Sequence, residues 1–251
     1  MIRVKSTEFS YNLRSIKCEN EQTLMMQSVR WSRFPDADAV AAEAVRQILQ
    51  VAKTSIDDRG AFRIVLAGGS TPRKAYRLLS SCEADWSDWH LYLGDERCLP
   101  VGHAERNSSM IHEAWLERGQ VPPDQVHWIP AESGSVQGAA VYENVVREAI
   151  PFDLVLLGMG EDGHTASLFP GHKQDPECLV VSVTGAPKPP PDRVSLNYTG
   201  LAETRNMLVL VTGSGKRPAV ARWRAGGSLP VARLECAAGV DVLLDESAWH
   251  N

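Results

Sequence analysis

A chain of 251 residues that is 43% hydrophobic and 23% charged has ordinary globular proportions and is long enough to bury a core without disulfide or metal staples. Its 19 glycines and 15 prolines exclude collagen-like and low-complexity classes. A net charge of −5 argues against a nucleic-acid partner, whose footprint is basic, but is compatible with a local cationic cluster that grips a small anion.

Residues 1–24 mix Lys, Glu, Asn and Ser and lack the apolar run of a secretory signal. They read as a loosely ordered extension, or as residues upstream of a true start at Met25 or Met26, with one α/β domain expected over 25–251. From Asp36 onward Val40, Ala44, Val45, Ile48, Leu49 and Ala52 recur at three- and four-residue steps, which predicts a helix ending in a turn at 57–60 (DDRG). Residues 62–67 (FRIVLA) form a continuous apolar run, the mark of a strand buried on both faces. AGGSTP (67–72) breaks the run, and Ser70 or Thr71 is expected to cap a helix with Pro72 in its first turn. The alternation then repeats, with strands predicted at 90–94, 126–129, 152–157, 179–183, 194–198, 207–211 and 240–244. Helices are predicted at 108–118, 136–150 and 215–224. This order implies right-handed βαβ crossovers and a mainly parallel sheet. GAPKPPPD (185–192) reads as a stiff loop. No stretch approaches the roughly 20 apolar residues of a membrane helix. The five widely spaced cysteines, Cys18, Cys82, Cys98, Cys178 and Cys236, indicate reduced buried thiols rather than a disulfide framework or zinc site. Most of the seven tryptophans are expected to pack helices onto the sheet.

In such sheets ligands bind outside the carboxyl ends of the strands, and four loops there carry candidate chemistry. Gly68, Gly69 and Ser70 could bring helix-terminal amides onto an anion, or form an ordinary capped turn. In GDER (94–97), Asp95, Glu96 and Arg97 could make a surface ion pair, or Arg97 could grip a phosphate with its planar fork. GMGEDGHT (158–165) contains G-x-G-x-x-G. However, Glu161 and Asp162 would place carboxylates against a pyrophosphate, and Pro170 leaves little room for a long helix. The loop is left presenting Asp162 and His164, where a histidine can activate water or merely cap the turn. Arg193 begins a strand, and Lys216 lies in TGSGK (212–216), which is not a P-loop because Arg217 follows the lysine. Three cations in three strand-end loops favour a phosphate pocket. No G-x-S-x-G elbow occurs, and no three ligands stand at metal spacing, so neither a metal nor another cofactor is expected.

Taken in order, AGGSTP, LGDER, FDLVLLGMGEDGHTASLFPGH, RVSLN and VTGSGK closely resemble the 6-phosphogluconolactonase family, over nearly the whole chain from about Trp31 to Leu244. The resemblance implies a modified Rossmann-like, mainly parallel sheet with helices on both faces. That fold is shared with glucosamine-6-phosphate deaminases, ribose-5-phosphate isomerases and CoA transferases. The deaminases are the nearest rivals, but they carry Tyr where this chain has Arg97 and Glu where it has Phe169. The resemblance implies hydrolysis of 6-phosphoglucono-1,5-lactone, with His164 as general base for water and Asp162 supporting it. It places Gly68, Gly69, Ser70, Arg97, Arg193 and Lys216 on the phosphate and Asp95 among the substrate-binding residues. A cytoplasmic monomer is implied, with a small phosphorylated sugar lactone as partner, no nucleic acid and no membrane. The alternatives kept open are a sugar-phosphate isomerase or deaminase on the same fold, and a non-catalytic sugar-phosphate sensor.

Overall fold

The computed structural model describes residues 28–249, so the extension at 1–24, the two candidate start methionines and Cys18 lie outside the described residues. Ten strands are present: β1 (Val29–Phe34), β2 (Phe62–Leu66), β3 (Trp89–Leu93), β4 (Asp95–Arg97), β5 (Val126–His127), β6 (Leu154–Gly158), β7 (Val180–Val183), β8 (Arg193–Leu196), β9 (Met207–Val211) and β10 (Val240–Asp245). The helices are α1 (Ala37–Arg59), α2 (Ser70–Leu79), α3 (Asn107–Ala114), α4 (Ser135–Ala149), α5 (Tyr198–Ala202) and α6 (Arg217–Arg224).

Seven strands form one sheet in the order β1-β10-β9-β6-β2-β3-β5, and every neighbouring pair is parallel. Helices flank it. The central strands read FRIVL, LVLLG and MLVLV, and such unbroken apolar runs are what a strand covered on both faces requires. The chain steps from β2 outward through β3 to β5, then returns to lay β6 on the other side of β2 and continues through β9 to β10. The direction of winding therefore reverses between β2 and β6. At such a switch point the two flanking loops diverge and leave a crevice.

Several expectations are corrected. The runs at 179–183 and 194–198 do not join the parallel sheet; as β7 and β8 they pair antiparallel with β4 in a separate three-stranded sheet. β4 was not expected, because three polar residues carry no apolar period. Gly94 joins the two sheets, donating to Leu66 in β2 and accepting from the Leu196 amide. Strand β8 ends early because the Asn197 side chain caps α5. Strand β1 was also not expected, and it pairs with β10 at the sheet edge. The predicted turn at 57–60 is helical through Arg59, with Gly60 as the cap. There a Lys53–Asp57 pair one turn apart, at 2.8 Å, supports the last turns. The helix predicted over 108–118 stops at Ala114, where Trp115 leaves helical geometry and buries its ring against Tyr76, Trp86 and Trp89. Neither Ser70 nor Thr71 caps α2. The cap is Gly69 at φ 109°, a backbone conformation that L side chains rarely adopt. The Thr71 hydroxyl instead meets that of Thr212 at 2.6 Å, linking the start of α2 to the end of β9. The four described cysteines are free thiols and only half-buried.

Candidate active site

A cavity of about 330 Å³ opens at the carboxyl ends of β9, β6, β2 and β3, four adjacent strands that straddle the switch point. Its lining includes Gly68, Gly69, Ser70, Asp95, Arg97, His164, Arg193 and Lys216. The remaining predicted residue, Asp162, stands behind His164 and holds it.

His164 is presented by the loop that follows β6. That loop is closed on itself: the Gly160 amide donates to the His164 carbonyl at 2.8 Å, Gly163 donates to Gly160 at 3.1 Å, and the Thr165 hydroxyl donates to Gly158 at 2.9 Å. The imidazole lies directly over Gly160, where a Cβ would come within 2.1 Å of two ring atoms. Asp162 Oδ1 stands 2.5 Å from His164 Nδ1. A carboxylate there accepts the Nδ1 proton and leaves Nε2 with its lone pair. Burial lowers the His164 pKa, and the hydrogen bond and charge of Asp162 only partly offset this. Burial pushes Asp162 up, but the hydrogen bonds and charge of His164 outweigh it and hold the carboxyl below its usual range. At neutral pH the pair is therefore a carboxylate and a neutral imidazole.

Across the cavity, the Gly68–Ser70 turn packs against Asn107. A Cβ on Gly68 would meet Asn107 Oδ1 at 2.1 Å. The Asn107 amide donates to the Asp95 carbonyl at 2.9 Å and to Asp95 Oδ1 at 3.0 Å, while Ser167 donates to Asp95 Oδ2 at 2.6 Å. Asp95 is buried with both carboxylate oxygens hydrogen-bonded, so it acts as a junction between loops. Its neighbour Glu96 is 0% exposed. The Glu96 carboxylate accepts the amides of Arg97, Asn107 and Ser108 and the Arg106 guanidinium. It thereby caps α3, whose terminal donors need an anion.

The cations are arranged unequally. Arg97 and Arg193 lie directly opposite each other in the antiparallel β4–β8 pair, and like charges so placed destabilise a sheet unless an anion lies between them. Arg97 donates to the Glu105 carbonyl, yet its Nε is buried without a partner among the described residues. Arg193 is nine-tenths buried. It donates through Nε to Pro190 and through Nη2 to Lys188 and Pro189, so most of its fork holds its own loop. Burial lowers its pKa against the pull of Asp95, and the Arg97 charge adds to the lowering. Lys216 stands in a 3₁₀ turn after β9. That turn is fixed by buried Asp245, whose two oxygens accept the Gly213 amide at 3.0 Å. Burial lowers the Lys216 pKa, opposed first by Glu161.

Sequence reasoning missed Asn107, Ser167 and Lys188. Asn107 belongs to no motif, being joined to Asp95 only in space. Ser167 lies inside the GEDGHTASLFP string, whose histidine drew the attention. Lys188 was read only as part of a Pro-rich spacer. Among the described residues no group of three or more His, Cys, Asp or Glu is gathered that could hold a metal, and no helix is long and apolar enough to cross a membrane.

The arrangement gathers a histidine–aspartate pair, a glycine-rich turn and several cations in one crevice, and known proteins resemble the chain in sequence and fold. Over 214 residues the chain is 37% identical to a 6-phosphogluconolactonase of Mycobacterium tuberculosis, covering 79% of this chain and 86% of that one. It is 34% identical over 198 residues to a 6-phosphogluconolactonase of Nostoc sp., covering 75% and 82%. A solved 6-phosphogluconolactonase of Thermotoga maritima superimposes with a TM-score of 0.80 at 26% identity, over 87% of this chain and all of that one. The profile described as glucosamine-6-phosphate isomerases/6-phosphogluconolactonase matches residues 35–243, from the cap of α1 into β10 and through every loop that lines the cavity, and the chain belongs to that family.

Proposed function

We propose that this chain is a 6-phosphogluconolactonase, opening 6-phospho-D-glucono-1,5-lactone to 6-phosphogluconate in the oxidative pentose phosphate pathway. The observation that carries the reading is the His164–Asp162 pair, 2.5 Å apart, in the same cavity as the Gly68–Ser70 turn, Arg97 and Lys216. His164 Nε2 takes a proton from water as the water oxygen bonds to C1. The carbonyl electron pair moves onto its oxygen, then returns and breaks the bond from C1 to the ring oxygen. The imidazolium gives its proton to that leaving oxygen. Asp162 keeps the ring in the right tautomer and orientation and steadies its transient charge. The phosphate sits between the start of α2 and Arg97 and Lys216, supplying remote binding energy that places C1 against the water. Arg193 lends the remaining donor of its fork. No metal takes part.

The deaminase alternative is disfavoured by Phe169, whose ring centroid lies 4.7 Å from that of His164 and beneath the Arg193 guanidinium. An aromatic ring there offers no carboxylate for opening an amino sugar. The reading carries with it a cytoplasmic, monomeric enzyme with its chemistry in one domain over residues 25–251. The test is a coupled assay on freshly made 6-phosphogluconolactone, with glucosamine 6-phosphate as the control substrate and EDTA in a parallel arm. Turnover of the lactone alone, unaffected by EDTA, is expected. Deamination without lactone turnover would overturn the reading.

A further inference from the structure

The loop between β7 and β8 puts Lys188 and Pro189 on the cavity wall. Its path is held from several sides. Arg193 donates to the carbonyls of Lys188 at 2.9 Å, Pro189 at 3.1 Å and Pro190 at 3.1 Å. The Ala186 amide donates to Pro191 at 2.9 Å, and the Cys98 amide donates to Asp192 at 3.0 Å. A guanidinium has five N–H donors. Three of the Arg193 donors hold this loop, and a fourth faces Ser167 Oγ at 3.5 Å. The residue expected to grip phosphate is therefore largely occupied in shaping the strap that carries its neighbour.

Lys188 is the reverse case. Its side chain is exposed to the cavity, and among the described residues it has neither a hydrogen bond nor an ion pair. Its charge adds to burial in lowering the pKa of His164, and it lowers that of Lys216 as well. The Arg193 guanidinium that holds the Lys188 carbonyl lies over the Phe169 ring, whose centroid is 4.7 Å from that of His164, so the loop carrying Lys188 stands at the His164 end of the crevice, where bonds change. Ground-state substrate has no anion at that end. The charge appears there only when water adds to C1 and the carbonyl pair moves onto oxygen. A preorganised cation acting only on that charge accelerates the chemical step rather than tightening substrate binding.

We propose that Lys188 is the oxyanion-stabilising group of this enzyme, and that Arg193 is a positioning residue which holds the Lys188 loop in place. The proposal rests on the lactonase reading. Addition of water to C1 places one negative charge on the former carbonyl oxygen, which accepts a hydrogen bond from the Lys188 ammonium. Collapse returns that pair to carbon as the ring C–O bond breaks, and the ring oxygen takes its proton from His164, so the lysine loses none.

The experiment compares wild type, Lys188→Met and Lys188→Arg in steady state on 6-phosphogluconolactone, and follows the His164 ring by NMR titration in each. Lys188→Met should lower kcat about 10²-fold, the usual effect of removing one such donor, with KM nearly unchanged. Lys188→Arg should recover most of the loss. In Lys188→Met the His164 titration should move to higher pH, because a neighbouring positive charge is gone. A loss seen in KM with kcat preserved would make Lys188 a phosphate ligand and overturn the proposal. So would an unaltered kcat, or a fall in kcat with an unmoved His164 titration, which would mark a loop that has merely shifted. Wild type inactive on the lactone would overturn the lactonase reading itself and this proposal with it. Active wild type with any of the three contrary results overturns this proposal alone.

Discussion

With Nδ1 hydrogen-bonded to Asp162, His164 has a single nitrogen free for chemistry, and in the proposed mechanism its protonation decides whether the enzyme works. Burial favours the neutral ring, so the active form should persist to lower pH than for a solvated histidine. In wild type, kcat/KM should rise with pH through a midpoint below the ordinary histidine value of about 6.5, then stay flat through neutrality. Asp162 raises the His164 pKa by hydrogen bond and charge. Asp162→Asn should therefore move the midpoint further down while lowering the plateau, because the ring loses its orienting partner. A midpoint that rises in this variant would mean Asp162 does not face a titrating imidazole. His164→Ala should cost about 10²–10⁴ in kcat, the usual contribution of a positioned general base, with an unchanged circular dichroism spectrum. Near-wild-type turnover would remove His164 from the mechanism. Both residues were legible in the sequence because GEDGHT presents them after a strand. The role of the adjacent acidic pair was less so. Asp95 and Glu96 read as surface groups or ligands, yet both are buried, and what buries them is Arg106 and Asn107, about ten residues on and in no motif.

Helix α3 depends on a side chain from another element. Its N-terminus has no neutral cap and relies on the Glu96 carboxylate, which also shares the buried Arg106 with Glu132. Breaking a buried, hydrogen-bonded pair by removing one partner costs about 3–5 kcal/mol. Glu96→Ala should lose that much in denaturant unfolding, with a smaller loss for the isosteric Glu96→Gln. A change below about 1 kcal/mol in Glu96→Ala would show that solvent replaces the carboxylate easily. Strand β4, which holds Glu96, also carries Arg97, whose buried Nε has no partner among the described residues. Arg97→Ala should lower kcat/KM on the phosphorylated lactone about tenfold to a hundredfold, as losing a charged hydrogen bond of about 1.5–3 kcal/mol does. Plain gluconolactone, having no phosphate, should lose little. Equal losses on the two would place Arg97 in the fold rather than on the phosphate. The strand-end loops were readable because unbroken apolar runs such as FRIVL and LVLLG stop abruptly at glycine. Strands β1 and β4 were not. VRWSRF lies at an edge with its arginines in solvent, and DER is a strand only because RVSL, a hundred residues away, pairs with it.

At the scale of the whole molecule, alternation of strand and helix identified a parallel sheet, but strand order was out of reach. β6 pairs on one side with β2, setting Leu154 beside Ile64, and on the other with β9, setting Val155 beside Met207, and no local period encodes such distant pairing. That order nevertheless creates the crevice, because the reversal between β2 and β6 is what parts the loops. The small antiparallel sheet then closes the crevice on one side by setting Arg97 opposite Arg193. Two arginines at opposed positions of a strand pair favour a shared anion. Thermal stability should then depend on the solution. A ligand that binds the native crevice and not the unfolded chain stabilises by about 2.7 kcal/mol at a hundredfold excess over Kd, and inorganic phosphate is expected to act in this way. The midpoint of melting should be higher in phosphate than in a chloride buffer of equal ionic strength, and Arg97→Ala should shrink that gap. No gap in wild type would mean the arginines do not share an anion. Storage buffer and assay buffer should consequently pull in opposite directions for this enzyme: an ion that preserves it on the shelf would compete with its substrate for the crevice.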